Sequence, residues 1–335
     1  MTAGSYDLGG RRVLITGGAG FVGSATVSRL IAAGCSDILV VDDMARGRPE
    51  NLNFPRGSAQ VRLVVGDIRD QRLMRDIVPG VDTVFHLAAL RITQCADEPR
   101  RAIEVMIDAT YDLLELCAKA RIRKVVMASS ASVYGMAATF PTPEDHHPYA
   151  NRTLYGAAKA FGEALLRSFN EMYGLDYVAL RYFNAYGPRM DIYGKYTEVL
   201  VKWMECIEAE LPPIIFGDGS QTMDLVYVDD IARANVLAAT STASDTVLNI
   251  GSGTEISLRQ LAETLAAAMG RPDLKPVYNE ERRVEAVRRR VADTSAAAHV
   301  LGFAPEVSLD EGLTRLVSWW RRLRGGGKAM AEPAA

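Results

Sequence analysis

The feature that most restricts this chain lies near its start, where "RVLIT" (12–16) runs directly into "TGGAGFVGS" (16–24). A short apolar run ends in Gly17, Gly20 and Gly23, spaced three apart, and "FVGSATVSRLIAAG" (21–34) then takes up helical spacing, closed by Gly34. A strand that turns through glycines straight into a helix predicts a βα unit, and the pattern recurs. Apolar runs follow at "DILVVDD" (37–43), "VRLVVGD" (61–67), "DTVFHLAA" (82–89), "KVVMASS" (124–130) and "YVALRYFN" (177–184). Helical stretches lie between most of them, notably 98–120. Strands that are apolar almost throughout are buried on both faces, so the alternation predicts the α/β class, a parallel sheet with helices on each side. Right-handed crossovers make that sheet doubly wound.

After about residue 185 the rhythm changes. "PPIIFGDG", "DLVYVDD" and "TVLNIGSG" are short strands between turn residues, among helices at 193–209, 229–240, 257–269 and 309–323. This predicts a sheet domain over 1–185, to which some later segments return, and a smaller α/β lobe over 186–323. The tail "RGGGKAMAEPAA" (324–335) is predicted to be disordered. With 335 residues, 48% of them hydrophobic, the chain can bury a core of this size. A net charge of −3 with scattered Lys and Arg argues against a nucleic-acid partner, "ERRVEAVRRR" (281–290) being only a short cluster. Cys35, Cys95, Cys117 and Cys206 match neither a zinc knuckle nor a CxxC pair and read as free thiols in a reducing compartment. The four histidines form no HExxH-type pair, so no metal is expected. "MTAGSYDLGGRR" has no apolar run and no stretch is long enough to span a bilayer, which makes the cytoplasm the expected location, with no membrane partner.

A glycine triplet by itself serves a tight turn as readily as a ligand. Its setting adds meaning. Gly17 allows the turn, Gly20 lets the backbone approach a pyrophosphate, and Gly23 lets the helix pack on the sheet, while the helix N-terminus offers unpaired N–H groups. No GK[ST] follows, which excludes a P-loop. Asp42 ends the second strand about 20 residues on, where a carboxylate accepts from a ribose diol and repels a 2′-phosphate; with Asp43 it predicts NAD rather than NADP. Arg46 and Arg48 pull the other way, although a solvated loop is their simpler reading. Asp67, ending the third strand, either meets the adenine edge or caps a helix.

"YGAAK" places Tyr155 four residues before Lys159, on one helix face. A free phenol is a poor base at neutral pH, but a nearby ammonium stabilises the phenolate, so the pair can act as a tuned acid and base. Ordinary amphipathic helices carry such pairs too. Ser130, in "ASSASVYG" (128–135) at the carboxyl end of the fifth strand, adds a hydroxyl that can bond a reacting sugar hydroxyl. Ser129 or Ser132 can instead satisfy loop backbone.

In this order and at familiar intervals, "TGGAGFVG", "HLAA", "SSASVYG", "YGAAK", "RYFNAYGPR" and "GDGSQTMDLVYVDDIA" resemble the extended short-chain dehydrogenase/reductases, in particular the NAD-dependent nucleotide-sugar epimerase/dehydratase family. The likeness runs from about residue 11 to 323. It implies a Rossmann-type domain with tightly bound NAD. Gly17, Gly20 and Gly23 would line the pyrophosphate, and Asp42 and Asp67 the adenosine half, with Phe21, Val22, Asp43, Ile68, Leu87, Ala88 and Ala89 also at the cofactor. Tyr155, Lys159 and Ser130 would be catalytic, Lys159 also bonding the nicotinamide ribose. Arg91, Ser130, Ser132, Asn184, Arg189, Tyr193, Met223 and Arg282 would meet the substrate, with "GDGSQT" and the strand after it at the nucleoside diphosphate. A homodimer through a four-helix bundle built from the helix of 98–120 and that of 154–173 is also implied.

Members of such a family oxidise a sugar at C4 and then diverge. Dehydratases carry an Asp-Glu pair after the catalytic hydroxyl residue, where this chain has Ala131 and Ser132. Decarboxylating relatives often carry Glu before "VYG", again the place of Ser132. What remains is return of the hydride to the opposite face, a UDP-hexose 4-epimerase. Arg91, Arg189, Lys195 and Lys202 near the substrate side, with "ALRITQCADEP", "YGKYTEV" and "QTMDLVYV", place UDP-glucuronate narrowly ahead of UDP-glucose or an N-acetylhexosamine, a guanidinium gripping the C6 carboxylate. A nucleotide-keto-sugar reductase and a non-catalytic binding protein of the same fold are the alternatives. Two departures stand out: Met223 replaces the usual diphosphate-clamping Arg, a place Arg189 or Arg282 would have to fill, and Met106 replaces the Asn of "NvxGT".

Overall fold

From Val13 onward the first strand, β1 (Arg12–Thr16), is buried on both faces, as its unbroken apolar run requires. The computed structural model describes residues 6–54, 59–192, 198–280 and 287–328. Beyond β1 the chain alternates: α1 (Phe21–Ala32), β2 (Asp37–Asp42), β3 (Gln60–Val65), α2 (Gln71–Ile77) and β4 (Thr83–His86). After α3 (Ile92–Asp97), the helical stretch expected over 98–120 is divided into α4 (Pro99–Ile103), a π-helical turn (Glu104–Asp108) and α5 (Ala109–Lys119). Next come β5 (Lys124–Ser130), α6 (Leu154–Tyr173), β6 (Tyr177–Tyr182) and β7 (Asn184–Tyr186). The remainder is α7 (Val199–Glu208), β8 (Ile214–Phe216), β9 (Thr222–Tyr227), α8 (Val228–Thr240), β10 (Thr246–Ile250), β11 (Glu255–Ser257), α9 (Leu258–Ala268), β12 (Val277–Asn279), α10 (Ser295–Leu301) and α11 (Leu309–Lys328).

Seven parallel strands form the main sheet in the order β10-β6-β5-β4-β1-β2-β3. The order reverses between β1 and β4, the switch point at which open α/β sheets open a crevice. Side chains alternate between two apolar layers. Val13 and Ile15 face Val27 and Leu30 of α1 and Ile231 and Ala234 of α8. Leu14 shares the other layer with Leu113 and Leu114 of α5 and Leu166 and Phe169 of α6. A third cluster, with Trp203 of α7, Leu261 and Leu265 of α9 and Trp320 of α11, is the core of the smaller lobe.

The structure fixes two boundaries. "TVLNIGSG" is one of the later segments that return to the sheet domain: its strand, β10, pairs with β6 at the edge of the main sheet. The tail does not begin at 324. α11 continues to Lys328, and the Arg324 guanidinium sits 4.4 Å over the Trp320 ring and 3.4 Å from Glu205, contacts that extend the helix by a turn. Residues 329–335 lie outside the described residues. No helix among the described residues is long and apolar enough to cross a membrane.

Candidate active site

The carboxyl ends of β1, β2 and β4 lie side by side, with Thr16 opposite both Val41 and His86, and the glycine turn opens there. Gly17 has φ +71° and lies against the backbone of Ala88, so only glycine fits. Gly23 is tighter still: a Cβ there would stand 2.2 Å from the Gly17 carbonyl oxygen. Gly20 is different. Only the Gly17 oxygen, at 3.3 Å, would meet its Cβ. Because α1 starts at Gly20 with no side-chain cap, the N–H groups of its first turn are left for a ligand. A cleft follows from here, lined by Gly17, Gly20, Phe21, Val22, Gly23, Asp42, Asp43, Asp67, Ile68, Leu87, Ala88 and Ala89. Asp42 accepts from the Ala19 and Met44 N–H groups, both at 3.0 Å, which spends part of its acceptor capacity and leaves the rest for a diol. Burial raises its pKa against those bonds. A helix start for a diphosphate and a carboxylate for a ribose fit NAD, and no basic residue is bonded to Asp42 among the described contacts.

Asp67 lines this cleft and does not cap α2. The cap is Asp70, which accepts from Arg72 and Leu73 N–H. Arg69 holds Asp67 through three contacts, and those bonds keep its carboxyl below the usual range. Arg46 is exposed on its loop, and it also borders the cleft and pairs with Asp191 at 3.5 Å, while Arg91 pairs with Glu198 at 3.4 Å.

Beyond β5 the catalytic candidates converge. Thr153 caps α6 by accepting from Gly156 N–H at 3.1 Å, which sets Tyr155 and Lys159 in the first two turns. Ser130 stands close enough to Tyr155 to lower its pKa, and its hydroxyl oxygen accepts from Ser132 N–H at 3.1 Å. Lys159 Nζ lies 5.9 Å from the centre of the Tyr155 ring and donates to the Ala128 carbonyl at 2.6 Å. Burial pulls this ammonium down to about 8, with Cys95 and Glu163 acting the other way. The expected depression of Tyr155 does not appear: burial raises it, against the pull of Ser130 and the charges of Arg46 and Arg290. Desolvation outweighs the cations here.

The proposed substrate residues separate. Ser132 borders a cavity of ≈ 370 Å³ beside the trio, with Thr93, Asn151, Arg152 and Arg290. Arg189 does not border it; with φ +71° it turns back, donates to Ser28 Oγ at 3.2 Å and lines the cofactor cleft. Asn184 donates to the Asp224 carbonyl at 2.9 Å, and Met223 packs into the lobe core from β9. Lys202 is exposed on α7. Tyr193, Lys195 and Arg282 lie outside the described residues.

Three residues lie in stretches the sequence singled out, but their structural roles could not be read from it. His86 accepts at Nδ1 from Thr16 Oγ1 (2.8 Å), because Thr110 spends its proton on the Met106 carbonyl (3.0 Å) and must receive one from Nε2 (3.0 Å). The ring is therefore a fixed neutral tautomer, and burial beside Lys159 lowers it to about 3. It ties "HLAA", the floor of the cleft, to the π-helical turn. Met106 fills that turn beside Cys95, Sδ to Sγ 3.6 Å, where an Asn would have needed a partner. Asp224, wholly buried, accepts from Ser252, Gly253 and Ala292 N–H and so holds the strand after "GDGSQT" to the loops beyond β10. The one available signal was helical period: Glu163 falls one turn after Lys159.

The model of the NAD dependent epimerase/dehydratase family matches residues 13–251. UDP-glucose 4-epimerase of Mycolicibacterium smegmatis is 38% identical over 315 residues, 92% of this chain and 98% of that one. Among solved structures, UDP-N-acetylglucosamine 4-epimerase from Methanobrevibacter ruminantium, in complex with UDP-N-acetylmuramic acid, is 35% identical with a TM-score of 0.87, covering 94% of this chain and 99% of that one. UDP-glucose 4-epimerase from Thermotoga maritima, with UDP-glucose, is 37% identical with a TM-score of 0.86, covering 93% and 99%. With a match that runs from β1 to β10 and relatives spanned almost end to end, this chain belongs to the NAD-dependent epimerase/dehydratase family.

Proposed function

We propose that this chain inverts C4 of a UDP-hexose through a 4-keto sugar, as an isomerase that keeps its NAD. The observation that carries this is the joining of Ser130, Tyr155 and Lys159 at the end of β5, with Ala131 and Ser132 where a dehydratase would hold its acidic pair. Gly20, the first turn of α1 and Asp42 would hold the cofactor. When bound, NAD supplies a reversible acceptor for the C4 hydride. Tyr155 accepts the proton of the 4-hydroxyl, with Ser130 beside it. Burial holds Tyr155 in its neutral form, so the Lys159 ammonium, 5.9 Å from the ring centre, has to offset that desolvation for the phenolate to take this proton. Once the keto sugar has turned about its pyrophosphate linkage, the same phenol returns the proton.

The sugar reading changes order. Arg189, offered as the carboxylate grip, is spent on Ser28 and the cofactor cleft, so UDP-glucose and UDP-N-acetylglucosamine come first. UDP-glucuronate stays second, because Arg152 and Arg290 border the cavity beside Ser132. The chain is offered each of the three UDP-sugars separately and the products are resolved. The 4-epimer of at least one neutral sugar should accumulate without net NADH. Stoichiometric NADH release would overturn the epimerase reading, and turnover of UDP-glucuronate alone would restore the uronate. Tyr155→Phe should lower kcat by roughly 10²–10⁴-fold.

A homodimer belongs to the same proposal: Tyr111 of α5 and Phe161, Met172 and Tyr173 of α6 are large, exposed and apolar on helices that pack together. The four unpaired cysteines suit a reducing, cytoplasmic setting.

A further inference from the structure

Consecutive residues at the end of β5 engage successive turns of α6. Ser130 stands beside Tyr155, the Ala128 carbonyl accepts from Lys159, and the Ser129 hydroxyl donates to the Glu163 carboxylate. Tyr155, Lys159 and Glu163 are each four residues apart and form one stripe. The helix lies flush on the strand: a Cβ on Gly156 would stand 2.4 Å from the Ser132 carbonyl oxygen, and one on Gly162 3.1 Å from Met127 Cε. Glu163 is buried and borders neither the cofactor cleft nor the cavity beside Ser132.

Its carboxylate continues into a network. Arg181, opposite Ser129 on β6, donates Nε and Nη2 to the two oxygens at 2.9 and 2.7 Å. Arg181 Nη1 donates to Tyr134 Oη and to the Glu144 carbonyl, both at 2.8 Å. Tyr134 Oη donates to Asn249 Oδ1 at 2.6 Å, and Asn249, opposite Arg181 on β10, donates Nδ2 to the carbonyls of Thr142 (2.9 Å) and Asp293 (3.1 Å). Thr142 is bonded backbone to backbone with Val291 and Asp293, immediately after Arg290 on the cavity wall.

We propose that Glu163 and Arg181 are the positioning pair of this reaction, keeping α6 in register with β5 and tying that register to the segment that borders the substrate. The proposal rests on the epimerase reading. A buried ion pair is weak evidence for stability; what a two-pronged guanidinium–carboxylate contact adds is fixed geometry. Tyr155 and Lys159 reach the sugar only if their helix neither slides nor rolls. Glu163 also acts on Lys159 through charge. Among the described residues, the ionisable groups facing Lys159 are His86 from β4, Cys95 from α3, and Tyr155 and Glu163 from its own helix, of which Glu163 is the carboxylate. Removing its charge lets Lys159 lose its proton sooner, so the alkaline limb of kcat moves to lower pH.

The test compares NAD-loaded native protein with Glu163→Gln, Arg181→Gln and the double variant. Glu163→Gln should lower kcat on UDP-glucose, or on whichever UDP-hexose the native protein turns over, by about 10- to 100-fold. Its KM should change far less, within about two-fold, since Glu163 itself borders neither the cofactor cleft nor the cavity. Its alkaline limb should move down, and the double variant should be no worse than the poorer single one. Amide exchange should rise in residues 154–160 but not in 164–172. A native kcat and pH profile in Glu163→Gln would overturn the proposal. So would losses that multiply in the double variant, or a loss matched by the unfolded fraction with exchange raised evenly along α6. If the native protein converts no UDP-hexose, the function reading falls, and the exchange comparison still decides: unchanged protection over 154–160 sinks the positioning role.

Discussion

Gly20 and Gly23 share one turn and should fail in different ways. A methyl at Gly23 meets the Gly17 carbonyl oxygen and the Gly18 Cα, all backbone, so the turn must open. A methyl at Gly20 meets almost nothing of the protein and projects where a pyrophosphate would lie. Gly23→Ala is expected to lower the thermal midpoint, by overpacking worth about 1–3 kcal/mol, and to strip NAD from the purified protein. Gly20→Ala should keep the midpoint of the cofactor-free protein and lose NAD all the same. Equal midpoints for the two variants would contradict the packing argument. At this scale the sequence was most informative where chemistry and spacing were local: the glycines, and Asp42 at a strand end. It was least informative where a backbone turn redirected a side chain. Arg189 at φ +71° points back toward α1, and Arg46 follows Met44 at φ +58° into the cleft. Nothing in residue order announces a left-handed arginine.

α6 carries two kinds of information on its two sides. Its stripe of Tyr155 and Lys159 was legible because four-residue spacing alone puts them on one face. Its tie to Arg181 was not, since that needs β5 and β6 to be neighbours and Ser129 to stand opposite Arg181. The outer side bears Phe161, Met172 and Tyr173, next to Tyr111 of α5. If these close a dimer, Phe161→Glu with Tyr173→Glu should give a monomer in sedimentation without loss of helical circular dichroism. A native protein that already sediments as a monomer at micromolar concentration would refute the bundle. The π-helical turn shows the limit of periodicity: it leaves one residue too many for a straight helix over 98–120, and only the His86–Thr110–Met106 chain explains where the extra carbonyl goes.

Across the whole molecule, the sheet order was legible in kind but not in extent. Six strands carried unmistakable apolar runs, whereas β10 is short and sits among lobe segments, so its return to β6 could be found only in three dimensions. The return matters energetically. Lys124, wholly buried, donates to the Ser241 and Ala243 carbonyls at 2.7 Å, and α8 covers α1, with Asn235 bonded to Thr26 at 2.9 Å. A fragment of residues 1–185 lacks all of these partners. It is expected to aggregate and to bind no NAD, although it holds every cofactor residue named above except Arg189 and Asp191; a soluble, NAD-binding 1–185 would argue that the sheet domain is self-sufficient.

The late strand also sets a clock on birth. Translation reaches Thr246 of β10 sixty-four residues after Tyr182 of β6, a delay of about 3–13 s at ordinary elongation speeds. Through that interval the nascent chain carries an open sheet edge, and for most of it Lys124 lacks the Ser241 and Ala243 carbonyls that hold its ammonium in the fold. Quality-control factors that bind exposed strand edges would therefore meet this protein at one predictable moment, and a ribosome stalled between these two strands would hold it there.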